Sequence, residues 1–250
     1  MTLPNDDVMN LLSNRFVLVW RNIEKAKHVG MSHGYKPNQT AVGTTNGAGG
    51  RNVQLVVLAA DETVMHVMPG FWHAEDLLAE LRLALDVHRL HRDEALTAER
   101  KQAMFSALHR SFVNRMSPES IGRSGWQGFD VWVEAERAKK QPDRDTVMTD
   151  ETGKTIAGEH GALALKPVSQ VVHERMAARP FRKLADFDME SFVDYGRAFY
   201  DNNQGLDKGK DFPAAVQANQ KREAEQAKAD KAAEKAAGKA AKAGANKPNG

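Results

Sequence analysis

The sequence predicts an α/β protein, and three observations carry that expectation. Short apolar runs stand at Phe16–Trp20, Val53–Ala59 and Val64–Met68; their length and their β-branched content are those of buried strands. Leu77, Leu78, Leu81 and Leu85 follow the third run at helical spacing. From Ala214 onward Ala, Lys, Glu and Gln dominate, and no large apolar side chain follows Val216. That stretch cannot bury a core and is expected to be a disordered tail.

The elements follow in order. Phe16–Trp20 reads as a first buried strand. Residues 21–51 are polar and rich in turn formers, with Asn46-Gly47-Ala48-Gly49-Gly50 as a loop. The runs Val53–Ala59 and Val64–Met68 are separated by a short acidic turn at Asp61-Glu62, the pattern of a hairpin, and Pro69-Gly70 closes the second. Glu75 and Asp76 then open the leucine-rich helix, where negative charge suits the helix dipole. A second helix is expected over Thr97–Met116, with Met104, Leu108, Phe112 and Met116 every four residues and Ser117-Pro118 ending it. Within residues 119–166, Thr146–Met148 and Thr155-Ile156 flank Asp150–Gly153 and suggest a small hairpin. Residues 167–178 place Val168, Val171, Val172 and Met176 on one helical face, stopped by Pro180. Asp188 caps a last helix carrying Met189, Phe192, Val193, Phe199 and Tyr200.

Composition narrows the chemistry. The 250 residues include no cysteine, which excludes disulfides, thiolate catalysis and Cys-ligated zinc or iron–sulfur sites. The tail carries seven Lys and one Arg against four acidic residues, a net +4, so the rest of a chain of net charge +2 sums to −2. A near-neutral globule gives no electrostatic reason to expect nucleic acid across its surface. Met1–Asn14 is polar with Asp6 and Asp7, unlike a signal peptide, and no apolar run is long enough to span a membrane. A cytoplasmic location is the default expectation.

The order strand, long connection, strand, tight turn, strand, helix resembles the thioredoxin fold family over residues 8–92. Gln54–Leu58, Asp61, Val64–Val67, Gly70 and Glu75–Leu78 are similar to that family's closing β-β-α unit. The resemblance implies a three-layer sheet domain over residues 1–92. A mostly helical region over 93–213 and the disordered tail over 214–250 complete the expected organisation. The chain departs from the family where the family does its chemistry. His33-Gly34-Tyr35-Lys36 stands where a Cys-x-x-Cys turn is expected, and Gly49-Gly50-Arg51-Asn52 replaces the active-site cis-proline. Thiol–disulfide exchange is therefore excluded.

His33 and Lys36 are the candidates for catalysis, since a loop histidine titrates near neutral pH; no nucleophile or orienting carboxylate lies at a local spacing. The Gly47–Gly50 loop lacks the Lys-Ser/Thr of a phosphate-binding loop and leads into a strand, so it reads as a connection. Of the nine histidines, at 28, 33, 66, 73, 88, 91, 109, 160 and 173, only His88 and His91 share a helical face by spacing. A zinc site needs three or four ligands, and no third stands at a diagnostic distance, so neither metal nor cofactor is expected. Phe71, Trp72 and His73 sit at the strand-to-helix turn, where exposed aromatics would grip a partner and buried ones would pack the core.

The reading these features favour is a redox-inactive thioredoxin-like protein serving as a protein-binding or structural module, its protein partner unknown. The alternatives are an enzyme of unrecognised type using the His33 loop, and a nucleic-acid-associated protein acting through its basic tail.

Overall fold

The computed structural model describes residues 2–23, 53–126, 128–158 and 163–194, with the side chains of 128–130 and 132 excepted. All belong to one compact unit, Met1–Gln204; a second unit, Gly205–Gly250, lies outside them. The His33-to-Lys36 turn, the Gly47–Gly50 loop and the Lys/Ala-rich tail also lie outside the described residues.

The chain opens with a helix that the sequence reading did not anticipate. α1 (Asp6–Arg15) starts at Asn5, whose side-chain oxygen accepts from the backbone N–H groups of Asp7 and Val8. Val8 and Leu12, one turn apart, are its buried face and pack toward α2. Phe16–Trp20 then follows, and here the structure corrects the expectation of a buried strand. These residues lie outside any strand, and Val17, Val19 and Trp20 are 93%, 89% and 89% exposed. Apolar, β-branched composition makes a strand only where a neighbour offers ladder partners. None of the described residues does so here.

The expected hairpin is present. β1 (Gln54–Leu58) pairs antiparallel with β2 (Val64–Pro69), Leu55 opposite Met68 and Val57 opposite His66, with an irregularity between Val57 and Leu58. The turn is tied by Ala59 N–H to Thr63 O and by Thr63 N–H to Asp61. Gly70 adopts φ 76°, a left-handed conformation that suits glycine, and its N–H closes the hairpin onto Val53 O. β2 is buried throughout, whereas β1 is half-buried. Among the described residues the sheet has these two strands, so the three-layer sheet implied by the resemblance is not seen there.

Helices build the rest. α2 (Ala74–Arg92) buries Leu77, Glu80, Leu81, Ala84 and Val87 along one stripe and lies on β2. α3 (Ala98–Val113), capped by Thr97, buries Phe105 and His109. α4 (Pro118–Arg123) is capped by Ser117 and is followed by α5 (Gly128–Lys140). Bridges Thr149–Thr155, Val147–Leu165 and Ala157–Leu163 form the small β feature foreseen around Asp150–Gly153. α6 (Val168–Ala177) packs its Val168, Val171, Val172 and Met176 face against α3 and β2. α7 (Met189–Val193) begins at Asp188, whose carboxylate accepts from Ser191 N–H as a cap. The architecture is thus mixed helix and strand, with the core where α2, α3 and α6 meet β2. No helix among the described residues is long and apolar enough to cross a membrane.

Candidate metal centre

Each element at that meeting point contributes a titratable side chain to a mostly apolar interior. β2 supplies His66, α2 supplies Glu80, α3 supplies His109 and α6 supplies His173. The three histidines are fully buried and Glu80 is 1% exposed. Each sits on its element's core-facing surface, so helical or strand periodicity turns it inward with its apolar neighbours.

The four groups bond in a chain. His66 Nε2 lies 2.7 Å from Glu80 Oε2, and His173 Nε2 lies 3.1 Å from Glu80 Oε1. His173 Nδ1 lies 3.0 Å from His109 Nδ1. The rings of His66 and His173 are stacked at 5.4 Å, and those of His109 and His173 stand 5.3 Å apart. Phe105 lies against His109 at 4.7 Å and Phe112 against His173 at 4.6 Å, which closes the cluster in aromatic surface.

The geometry fixes much of the proton arrangement. An ionised carboxylate only accepts, so both Nε2 atoms carry hydrogens and donate to Glu80. With His173 neutral, its Nδ1 accepts from His109 Nδ1–H. Two nitrogens then remain as bare lone pairs, His66 Nδ1 and His109 Nε2, and these have no hydrogen-bond partner. Unsatisfied polar atoms in a buried position cost free energy and are uncommon.

Electrostatics keep the carboxylate ionised and disfavour charge on His66 and His109. Burial would raise Glu80, but the attraction of the His173 ring and the hydrogen bonds from His173 and His66 outweigh it and bring the carboxyl down to about 2. Burial pushes the His66 ring below its ordinary value, against the opposing pull of Glu80. Burial, helped by the neighbouring imidazoles, pushes His109 down to about 2.

Two imidazole nitrogens and a carboxylate are a metal-ligand set. The donor atoms of His66, Glu80 and His173 all lie within 4.8 Å of one another. His109 stands behind His173, where a hydrogen bond to the ring nitrogen that faces away from the metal orients a ligating imidazole.

A cleft of about 390 Å³ lies nearby, and of the four residues of the centre only Glu80 lines it. Phe112, whose ring backs His173, also forms part of its wall.

The residues singled out from sequence fall elsewhere. Trp72 is buried, its indole N–H donating to Pro69 O at 2.9 Å, so it belongs to the core and the cleft wall. Phe71 and His73 are half-exposed and pair edge to face at 5.4 Å. His91 lies 3.5 Å from Asp61 and against Phe181, away from the buried three. The structure therefore brings together His66, His109 and His173, which share no local spacing. A signal did exist in the sequence: each of the four residues interrupts an apolar face. No family model, curated protein or solved structure matches this chain.

Proposed function

We propose that this protein binds a first-row divalent metal ion, with zinc the favoured ion, through His66 Nε2, Glu80 and His173 Nε2. The observation that carries the reading is the convergence of two imidazoles and one carboxylate, all buried, with donor atoms inside 4.8 Å. Imidazole suits zinc, iron, copper and nickel, and the two-His, one-carboxylate set is that of catalytic rather than closed structural zinc sites. Metal–donor bonds of about 2.0–2.2 Å in tetrahedral geometry hold donors about 3.4 Å apart. The 2.7 and 3.1 Å contacts to Glu80 need to open only modestly.

Metal entry needs the Nε2 lone pairs of both ligating histidines. Each hydrogen moves to Nδ1, a change of tautomer at constant charge. His173 Nδ1–H then donates to His109 Nδ1, and the hydrogen displaced from that atom moves to His109 Nε2.

The test is metal content and calorimetric titration of the full-length protein after chelation. One zinc per chain is expected, with His173→Gln losing it while its circular dichroism stays native. Absence of zinc binding by the native-like wild type would overturn the reading.

The exposed Val17–Trp20 segment favours a second reading, a protein-binding role. A stretch outside any helix or strand with Val, Leu, Val and Trp side chains in solvent suits capture of a partner. The hairpin, Gly70 and α2 in succession support retention of a thioredoxin-like frame. Gel filtration of wild type beside Trp20→Asp checks this role: a complex formed by the first and lost by the second is expected.

A further inference from the structure

Two imidazoles and one carboxylate make a site of three side chains, and the inference here rests on the metal reading proposed above. Sites of that composition serve reactions when a fourth position stays open to water or substrate. This one is shut. His66 and His173 are fully buried and Glu80 is 1% exposed, and neither histidine lines the cleft. Both oxygens of Glu80 are turned to the histidines, Oε2 to His66 Nε2 at 2.7 Å and Oε1 to His173 Nε2 at 3.1 Å. Those same contacts supply the missing donor. An ion that takes the place of the two shared hydrogens faces two imidazole nitrogens and two carboxylate oxygens. Four protein donors are what a closed structural site uses.

The three side chains also come from distant parts of the sequence. His66 lies on β2, Glu80 on α2 and His173 on α6, and 93 residues separate Glu80 from His173. A metal clip that closes a long loop removes entropy from the unfolded chain, and the effect grows with loop length. The chain has no cysteine, so no disulfide performs this closure. Beyond α6 the chain returns to the hairpin, where Val64 N–H donates to Arg182 O at 2.8 Å and Thr63 bridges Lys183. An ion at His173, together with these bonds, would hold the α6 segment to β2 at both His66 and Val64.

We infer that the ion is a closed structural clip. Glu80 chelates it through both oxygens, His66 and His173 complete its coordination, and no position is left for an exogenous ligand. Its role is to fasten α6 to β2 and α2.

The experiment uses full-length protein loaded with cobalt(II) in place of zinc, read by its visible absorption. Azide, a small anion that joins metals with an open position, is the probe, and it is expected to leave the cobalt bands unchanged. Raising EDTA about tenfold is expected to leave the rate of cobalt release unchanged, because the fold must open before the chelator meets the ion. Hydrogen exchange with and without zinc reads the clip itself. Exchange is expected to slow across α6, and much less across α5, which supplies no donor. Cobalt bands that shift with azide, or release that speeds in proportion to EDTA, would overturn the closed site and leave metal binding standing. Exchange in α6 that ignores bound zinc would overturn the clip. Failure of cobalt to bind would remove the metal centre itself, and this inference with it.

Discussion

Two glutamates are buried to the same degree in this molecule, and their surroundings differ in a way that separates structure from chemistry. Glu134, 1% exposed, is bound by Arg144 at 2.7 Å, by Arg137 at 3.2 Å and by the Thr146 hydroxyl. Asp194 completes that group, taking Arg137 at 2.6 Å and Arg144 at 2.8 Å. Two guanidinium charges face two carboxylates, and arginine does not give up its proton. Glu80 instead faces imidazoles, whose hydrogens can change place, and two nitrogens of its cluster are left without partners. A carboxylate locked by arginine joins α5 to the chain around Arg144 and Asp194. A carboxylate held by imidazole can exchange its hydrogen-bonded partners for a metal ion.

The sharpest way to break that contrast is to alter each glutamate site separately. Glu80→Gln keeps the size but removes the charge a cation needs. Cobalt affinity is expected to fall by more than about a hundredfold, beyond the effect of losing a side chain that only hydrogen-bonds to a ligand. Arg144→Met does the opposite. It leaves Glu134 with one fewer cation in a buried position, and unfolding in urea should show a loss of about 3–5 kcal/mol. Its cobalt affinity should match the wild type. If Arg144→Met lowered metal affinity as much as Glu80→Gln, the two clusters would not be independent.

The fold was more legible in the sequence than either cluster. The hairpin, α2, α6 and the start of α7 are read from periodicity, from the Asp61-Glu62 turn and from Asp188 as a cap, because these signals are local; α3 is read in its place but not in its face, since Met104 is 37% exposed and Phe105 and His109 are the buried residues. The buried centre is not local. Its contacts join residues 14, 64 and 93 positions apart, and no motif encodes such spacing. What was visible was a histidine inside Val64–Met68, another within the apolar face of α6, and a glutamate among the leucines of α2. A charged or titratable residue on an apolar face announces a buried partner without naming it. Phe16–Trp20 failed for the converse reason. Its composition fits a strand, but a strand also needs a neighbour, which composition does not supply.

Acid should expose the imidazole cluster before it reaches the carboxylate. His66 and His109 are held below their ordinary value of 6.5 in the folded chain. Below that pH the unfolded chain takes up protons that the folded chain refuses. Their contribution to stability is therefore complete above 6.5 and falls as pH drops, continuing for His109 toward about 2. Glu80, depressed from 4.5 to about 2, adds a loss of the same sign that begins only below 4.5. Urea midpoints measured from about pH 7.5 down to about pH 5.5 should decline once pH passes below the ordinary histidine value. A flat profile would mean that the imidazoles are not held neutral in the interior.

The smallest expected effect on stability comes from His109, and it tests the claim that this residue positions rather than ligates. His109→Leu removes one unpartnered nitrogen, Nε2, and at the same time strips His173 Nδ1 of its partner. One unsatisfied buried atom is exchanged for another, while an imidazole gives way to an apolar side chain among Phe105 and its neighbours. Stability at neutral pH should change by less than about 1 kcal/mol. Metal affinity should nonetheless fall about tenfold, because His173 loses the acceptor that fixes its ligating tautomer. His109→Gln restores a side-chain acceptor and should recover part of that affinity. A variant that lost metal binding entirely would make His109 a direct ligand. One that bound cobalt like the wild type would leave the His109–His173 contact a packing feature only, and the contrast between the two glutamates would then rest on His66, Glu80 and His173 alone.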